Sequence, residues 1–265
     1  MVSHDGRSQE VLRTREEDGV LTLWLSRPEK RNALNGALVE ALSRELATAG
    51  DREEVRVVLL RGEGPDFCAG ADLAELEEAM DQDREESLAD ARRLGDLLLA
   101  MRNHPRPVVA AVHGRALAGG CGLATACDLI LARADAEFGY PEVHLGFVPA
   151  MVMAILRRKV TEGRAFELVT LGQRISAAEA REVGLVNRVL VPEVFDQEVG
   201  DFARELARRP PSALKLTKGL LYELGDLSFR EGIERGAQVN VEARMTPACR
   251  EGVRRFLRKG PGKKA

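Results

Sequence analysis

No charge of either sign dominates this chain: its 265 residues carry 39 Lys+Arg against 42 Asp+Glu, a formal net charge of −3. Nucleic acid and anionic membrane surfaces both demand a basic surplus, so neither is expected as the main partner. Aromatic residues make up only 4% of the chain, too few to build the stacking platforms that capture unpaired bases. Cysteine is sparse as well. Cys68, Cys121, Cys127 and Cys249 have neither CxxC spacing nor the density of a disulfide framework, and a reducing, cytoplasmic compartment suits them. Long apolar runs are missing. The longest stretches without a formal charge, residues 116–127 and 143–156, fall short of the roughly 20 residues that span a membrane, and both read as buried core segments. The opening residues, Met1 to Arg7, contain no apolar h-region and no Arg-rich, acid-free helix, so no targeting signal is expected. Several catalytic signatures are lacking too. There is no GxxxxGK(S/T), no completed GxGxxG, no HExxH, no paired CxxC and no GxSxG. With four His in all, no metal site is expected.

What remains is an ordinary globular composition, 45% hydrophobic and 31% charged, with 25 glycines. The length suits one large core with an appendage. Branched and aromatic residues at 20–25 predict a strand that runs into a charged turn at Arg27–Asn32. Apolar positions at helical spacing predict a helix over 36–49, and residues 55–60 predict the next strand. An amphipathic helix over 84–103 is stopped by Pro105 and Pro107; buried strands follow at 107–112 and 128–132. Strand, Gly-rich loop, helix thus occurs twice, with parallel pairing the expected arrangement. Beyond about residue 148 the pattern is almost wholly helical. Ser176 and Glu179 form a capping box, and Thr246-Pro247 sets a cap before a first-turn proline. Residues 1–195 are expected to form the α/β core, and residues 196–265 a helical region that leans on another surface.

Two places feed a Gly/Ala-rich turn directly into a helix: Ala69-Gly70-Ala71-Asp72 and Ala118-Gly119-Gly120-Cys121-Gly122. Helix N-termini carry free N–H groups and the positive end of the helix dipole, and small residues let a ligand oxygen approach them. Two such amides converging on one oxygen make an oxyanion hole; glycines that merely serve tight turns would look the same. A third element, Phe138 to Pro149, sets the lone carboxylate of Glu142 in an apolar stretch. Burial there would raise its pKa toward neutrality, as an acid/base needs, whereas a surface turn after Pro141 would leave it ordinary.

Taken together these pieces resemble the crotonase, or enoyl-CoA hydratase/isomerase, superfamily. The resemblance runs from about Leu21 to Lys259. It is carried by Arg27-Pro28…Asn32-Ala33-Leu34-Asn35, Phe67-Cys68-Ala69-Gly70-Ala71-Asp72-Leu73, Gly114…Gly119-Gly120, Ala126-Cys127-Asp128-Leu129, Pro141-Glu142-Val143…Leu145-Gly146 and Glu251-Gly252…Phe256…Lys259, in that order. It implies an α/β fold, a spiral of ββα units, with a C-terminal helical region that forms a homotrimer, commonly doubled to a hexamer. It implies an acyl-CoA thioester as substrate, with no prosthetic group. The oxyanion-hole donors would be the Ala71 and Gly119 amides, and Glu142 the acid/base. CoA would be met by Lys30, Arg31, Ala33, Ala69, Asp72 and Leu73, and from a neighbouring subunit by Phe256 and Lys259.

One departure bears on mechanism. Hydratases of the best-known type use two glutamates, and the second belongs where this chain has Gly122. Enoyl-CoA hydration is the leading expectation, with Glu75, Glu78 or His144 as candidates to replace the missing group. A strand at 142–144 would set His144 on the face of Glu142, but a loop would not. Δ3-Δ2-enoyl-CoA isomerisation needs only one base and is the alternative; a non-catalytic acyl-CoA-binding subunit is a further one. The run Arg157-Arg158-Lys159 is expected as a solvated helix face.

Overall fold

Branched apolar residues alternating with tight turns build the centre of the molecule, for which a computed structural model describes residues 11–259. Strands β1 (Leu12–Glu17) and β2 (Val20–Leu25) form a hairpin, and α1 (Gly36–Asp51) returns the chain to β3 (Val57–Gly62). The short α2 (Leu73–Glu78) and the long α3 (Arg84–Asn103) lead to β4 (Val108–Val112), β5 (Arg115–Leu117), α4 (Gly119–Ala126), β6 (Leu129–Arg133) and β7 (Glu137–Gly139). After a 3₁₀ turn at Pro141–Leu145 come α5 (Ala150–Lys159), α6 (Glu162–Leu171), β8 (Arg174–Ser176), α7 (Ala177–Glu182) and β9 (Arg188–Leu190). Helices α8 (Phe195–Ala207), α9 (Pro211–Glu223), α10 (Phe229–Met245) and α11 (Pro247–Lys259) complete the chain.

The main sheet has the order β1-β2-β3-β4-β6-β9, parallel except for the antiparallel β1 edge. A smaller sheet, β5-β7-β8, stands beside it. Strand β4 is buried at all five positions, as a central parallel strand covered on both faces must be. Val58, Leu60, Val108, Ala110 and Val112 face the larger core with α1 and α3. Their alternates Val57, Leu59, Val109 and Ala111 face Phe195, Val199 and Ala203 of α8. So the helical region expected from residue 196 opens with a helix that packs on the sheet, while α9–α11 leave Leu221, Phe229, Ile233, Val253 and Phe256 exposed.

Two local expectations are corrected, and one open choice is resolved. The stretch after residue 148 holds two short strands, β8 and β9, too brief at three residues each to leave a period. Residues 143–156 are not a buried segment: Val143, Leu145, Phe147 and Val148 are exposed, and only Val152, Ile155 and Leu156 turn inward among the larger side chains. Charge-free composition reports what a segment tolerates, not where it lies. Segment 142–144, open between strand and loop, is not a strand. It is a 3₁₀ turn entered by Pro141 and closed by Gly146 in the left-handed region.

Candidate active site

The two Gly-rich loops meet. Leu34 N–H donates to the Gly70 carbonyl at 2.7 Å, Asp72 N–H to the Leu34 carbonyl at 2.8 Å, and Leu117 N–H to the Cys68 carbonyl at 3.0 Å. Contact is so close that a Cβ at Gly120 would lie 2.2 Å from the Cys68 carbonyl oxygen, and one at Gly70 would lie 3.7 Å from the Gly119 nitrogen. A Cβ at Gly119 would sit 3.9 Å from the Ala71 nitrogen, so these two amides are near neighbours. Among the described residues neither amide has a hydrogen-bond acceptor. The Gly119 amide is free because α4 begins there. Ala118 makes the turn: its own N–H goes to the Gly139 carbonyl at 2.9 Å, and its backbone takes φ 49°, ψ −127°, a region costing about 1–3 kcal/mol for a residue with a Cβ.

Glu142 stands on the 3₁₀ turn and is buried. Its Oε2 is buried without a hydrogen-bond partner. Burial raises its pKa, offset in part by a hydrogen bond from its own backbone amide. The charge of Glu142 in turn helps raise the pKa values of Cys121 on α4 and of Tyr140, in both of which burial is the largest cause. Tyr140 Oη and Thr125 Oγ1 are 2.7 Å apart, and Thr125 donates to the Cys121 carbonyl at 2.7 Å, a buried link that ties this segment to the helix.

Gly122 lies one position beyond Cys121 and is enclosed. A Cβ there would come within 2.3 Å of Val152 Cγ2 on α5, so the space a side chain would take is filled from across the helix pair. Of the three candidates for its replacement, two are engaged elsewhere. Glu75 accepts the Gly36 amide at 2.9 Å, Glu78 is exposed on α2, and the exposed His144 directs Nε2 to the Gly172 carbonyl at 3.3 Å.

The residues expected to meet CoA gather around the first loop, except for the last two. Lys30 and Arg31 are exposed, Ala33 is buried, and Ala69 N–H donates to the Arg31 carbonyl at 3.0 Å. Asp72 caps α2 and is held by Arg27 at 2.7 Å; the Arg27 hydrogen bond keeps its carboxyl below the usual range. Leu73 and Phe256 are exposed, and the Lys259 side chain lies outside the described atoms.

Sequence reasoning missed the supports of this loop. Buried Asn32, at φ 55°, donates from Nδ2 to the Glu63 and Asp66 carbonyls at 2.8 Å each and accepts the Arg27 amide. Asp66 holds Arg115 at 2.8 Å through both carboxylate oxygens. An asparagine before a small residue was the available signal, since Asn tolerates positive φ better than most residues.

Residues 15–263 match the family model described as enoyl-CoA hydratase/isomerase. A Thermus thermophilus protein carrying the provisional name enoyl-CoA hydratase is 39% identical, over 93% of this chain and 97% of its own. The 2,3-dehydroadipyl-CoA hydratase of Escherichia coli is 35% identical, over 91% of this chain and 92% of its own. The crystal structure of a Mycobacterium smegmatis enoyl-CoA hydratase superposes with a TM-score of 0.90 at 35% identity, over 96% of this chain and 98% of that one.

Proposed function

Because the chain belongs to the enoyl-CoA hydratase/isomerase family, we propose that it adds water across the double bond of 2-enoyl-CoA thioesters, with Glu142 as the acid/base and the Ala71 and Gly119 amides as the oxyanion hole. The observation that carries this reading is a buried carboxylate oxygen without a partner, on a turn tied to the helix that offers a free amide. Water's oxygen bonds to the β-carbon while Glu142 Oε2 takes its proton. The π electrons move onto the thioester oxygen, where the two amides bind charge that is absent from the ground state. The enolate then takes the proton from Glu142 at the α-carbon, which regenerates the carboxylate. One carboxylate suffices if it handles both protons in turn.

A second reading is favoured by Val152, which fills the space beside Gly122. With one carboxylate, moving a proton from the α- to the γ-carbon is also complete chemistry. Incubation with 2-enoyl- and 3-enoyl-CoA in heavy water, followed by mass spectrometry, separates the two. Hydration gives a deuterated 3-hydroxyacyl-CoA. Isomerisation converts the 3-enoyl substrate without adding water, and silence with both thioesters would leave a binding subunit.

Lys30, Arg31, Ala33, Ala69, Asp72 and Leu73 are assigned to the CoA path by their common loop, and Phe256 and Lys259 to its nucleotide end in an assembly. The exposed apolar side chains of α9–α11 support a homotrimer or a dimer of trimers, in which they would be covered. None of the described helices is long and apolar enough to cross a membrane, which accords with a cytoplasmic enzyme.

A further inference from the structure

Of the three consecutive cations expected on a solvated face, Arg157 and Arg158 are exposed but Lys159 turns inward. Lys159 ends α5, and its Nζ donates to the Cys127 carbonyl at 2.5 Å. Cys127 is the C-cap of α4, so this carbonyl is among those the helix leaves unpaired. The nearby carboxylate is already engaged: Asp128 accepts from Lys218 Nζ at 2.8 Å, from the Val108 amide at 2.6 Å and from the Tyr222 hydroxyl. Among the described residues no carboxylate forms an ion pair with Lys159. Helix α5 thus grips α4 twice, through Val152 against Gly122 and through Lys159 at the end.

We propose that Lys159 is a positioning residue for the reaction: docked on the carbonyl that ends α4, its ammonium fixes that helix and places a positive charge along the axis whose other end presents the Gly119 amide to the thioester oxygen. The proposal rests on the hydratase reading above. Eight residues of helix span about 12 Å. The 2.5 Å hydrogen bond at one end and about 3 Å from amide to oxygen at the other bring the separation to about 17 Å, at which, with an effective dielectric constant of about 20, a unit charge is worth about fivefold in the rate of forming an oxyanion. The charge on that oxygen develops only as the reaction proceeds, so the effect belongs in kcat and not in binding.

Burial lowers the Lys159 pKa to about 8, against opposing influences from Cys127 and Asp128 and further lowering by Arg102 of α3 and Lys218 of α9. Activity should therefore decline as pH rises through about 8 and the ammonium is lost. Stability should move the other way. A base whose folded pKa lies below its ordinary 10.5 burdens the fold fully while charged, and the burden lifts progressively as pH rises from that folded value to 10.5.

The test uses the full chain as wild type, Lys159→Met and Lys159→Arg. Lys159→Met should lower kcat about fivefold with KM within about twofold, and Lys159→Arg should restore most of it and extend the upper pH limit. The infrared carbonyl stretch of a bound saturated acyl-CoA, which cannot turn over, should shift less to low frequency in Lys159→Met than in wild type. An unchanged kcat, a KM effect alone, or an equal loss in Lys159→Arg would overturn the assignment. If Lys159→Met does not fold, the wild-type carbonyl stretch followed from pH 7 to 9.5 decides: weakening through about pH 8 supports the role, and constancy overturns it. Absence of hydration by wild type would sink the hydratase reading, while the infrared measurement would still judge Lys159.

Discussion

In the proposed reaction the two loop-to-helix units do the same chemical job from opposite surroundings. The first ends in α2, a six-residue helix with no buried residue, held by the Asp72 cap and the Arg27 ion pair. The second ends in α4, an eight-residue helix buried from Gly120 to Ala126. One amide is offered by a rim, the other by the core. A rim can yield as a large CoA thioester enters, whereas a buried helix fixes the direction in which charge is received. Preorganisation is thus concentrated on the Gly119 side.

The largest expected effect removes the acid/base that works beside both amides. Glu142→Gln should lower turnover by about a thousandfold, within the range for a positioned acid/base, while acyl-CoA affinity stays within a few-fold. Its pKa is raised by burial, so wild-type activity should fall with decreasing pH above the ordinary carboxylate range. The same shift predicts a gain elsewhere. A carboxyl with a raised folded pKa supports the fold below its unfolded value and loses that support as pH rises through the folded one. Glu142→Gln should therefore melt higher than wild type at pH 7. A retained turnover, or a lower melting temperature, would break the assignment.

Next come substitutions that compare the two helices directly. Gly120→Ala drives a Cβ to 2.2 Å from the Cys68 carbonyl oxygen, backbone against backbone, and should cost about 3 kcal/mol or more, read as a lower denaturant midpoint. Ala74→Gly on exposed α2 should cost about 1 kcal/mol, the propensity difference alone. Equal losses would mean that the two units are equally embedded.

An intermediate effect is expected on α4 itself. Gly122→Glu alone collides with Val152 and should destabilise by about 1–3 kcal/mol. Gly122→Glu with Val152→Ala should recover part of that loss and bring a second carboxylate beside the first. Under the hydratase reading its hydration rate, compared with Val152→Ala alone, rises. A fall in hydration with 3-enoyl isomerisation retained would favour the single-base reading.

Much of this arrangement is legible in the sequence. The strands at 20–25 and 108–112, the helices α1 and α3 and the parallel pairing follow from periodicity and from where proline and glycine stand. The cap at Ser176 and its partner Glu179 form as their spacing predicts. Strands β8 and β9 were not legible, because three residues cannot express an alternation and their pairing partners lie far off in sequence. Nor was the burial of Glu142. Exposed Val143 and Leu145 follow it directly, and the 3₁₀ turn, with about three residues per turn, sends neighbours about 120° apart. Lys159 was hidden for a similar reason. A run of three cations on a helix points around it by about 100° per residue, so one of them can face the core while the others meet solvent.

The smallest expected effect lies at Ala118, where the two units differ within a single residue. Gly70 turns the first loop at φ 109° without strain, being glycine. Ala118 turns the second at φ 49°, ψ −127°, against a Cβ that resists. Ala118→Gly relieves strain of about 1–3 kcal/mol and adds unfolded-state entropy of about 0.5–1 kcal/mol, for a net stabilisation of about 1 kcal/mol. A rate that stays within about twofold would show that the burial of α4, from Gly120 onward, is enough to aim the Gly119 amide. A more stable protein with a clearly lower kcat would instead show that the strained alanine itself holds the donor in place, and the rigidity of the second unit would then begin one residue before its helix.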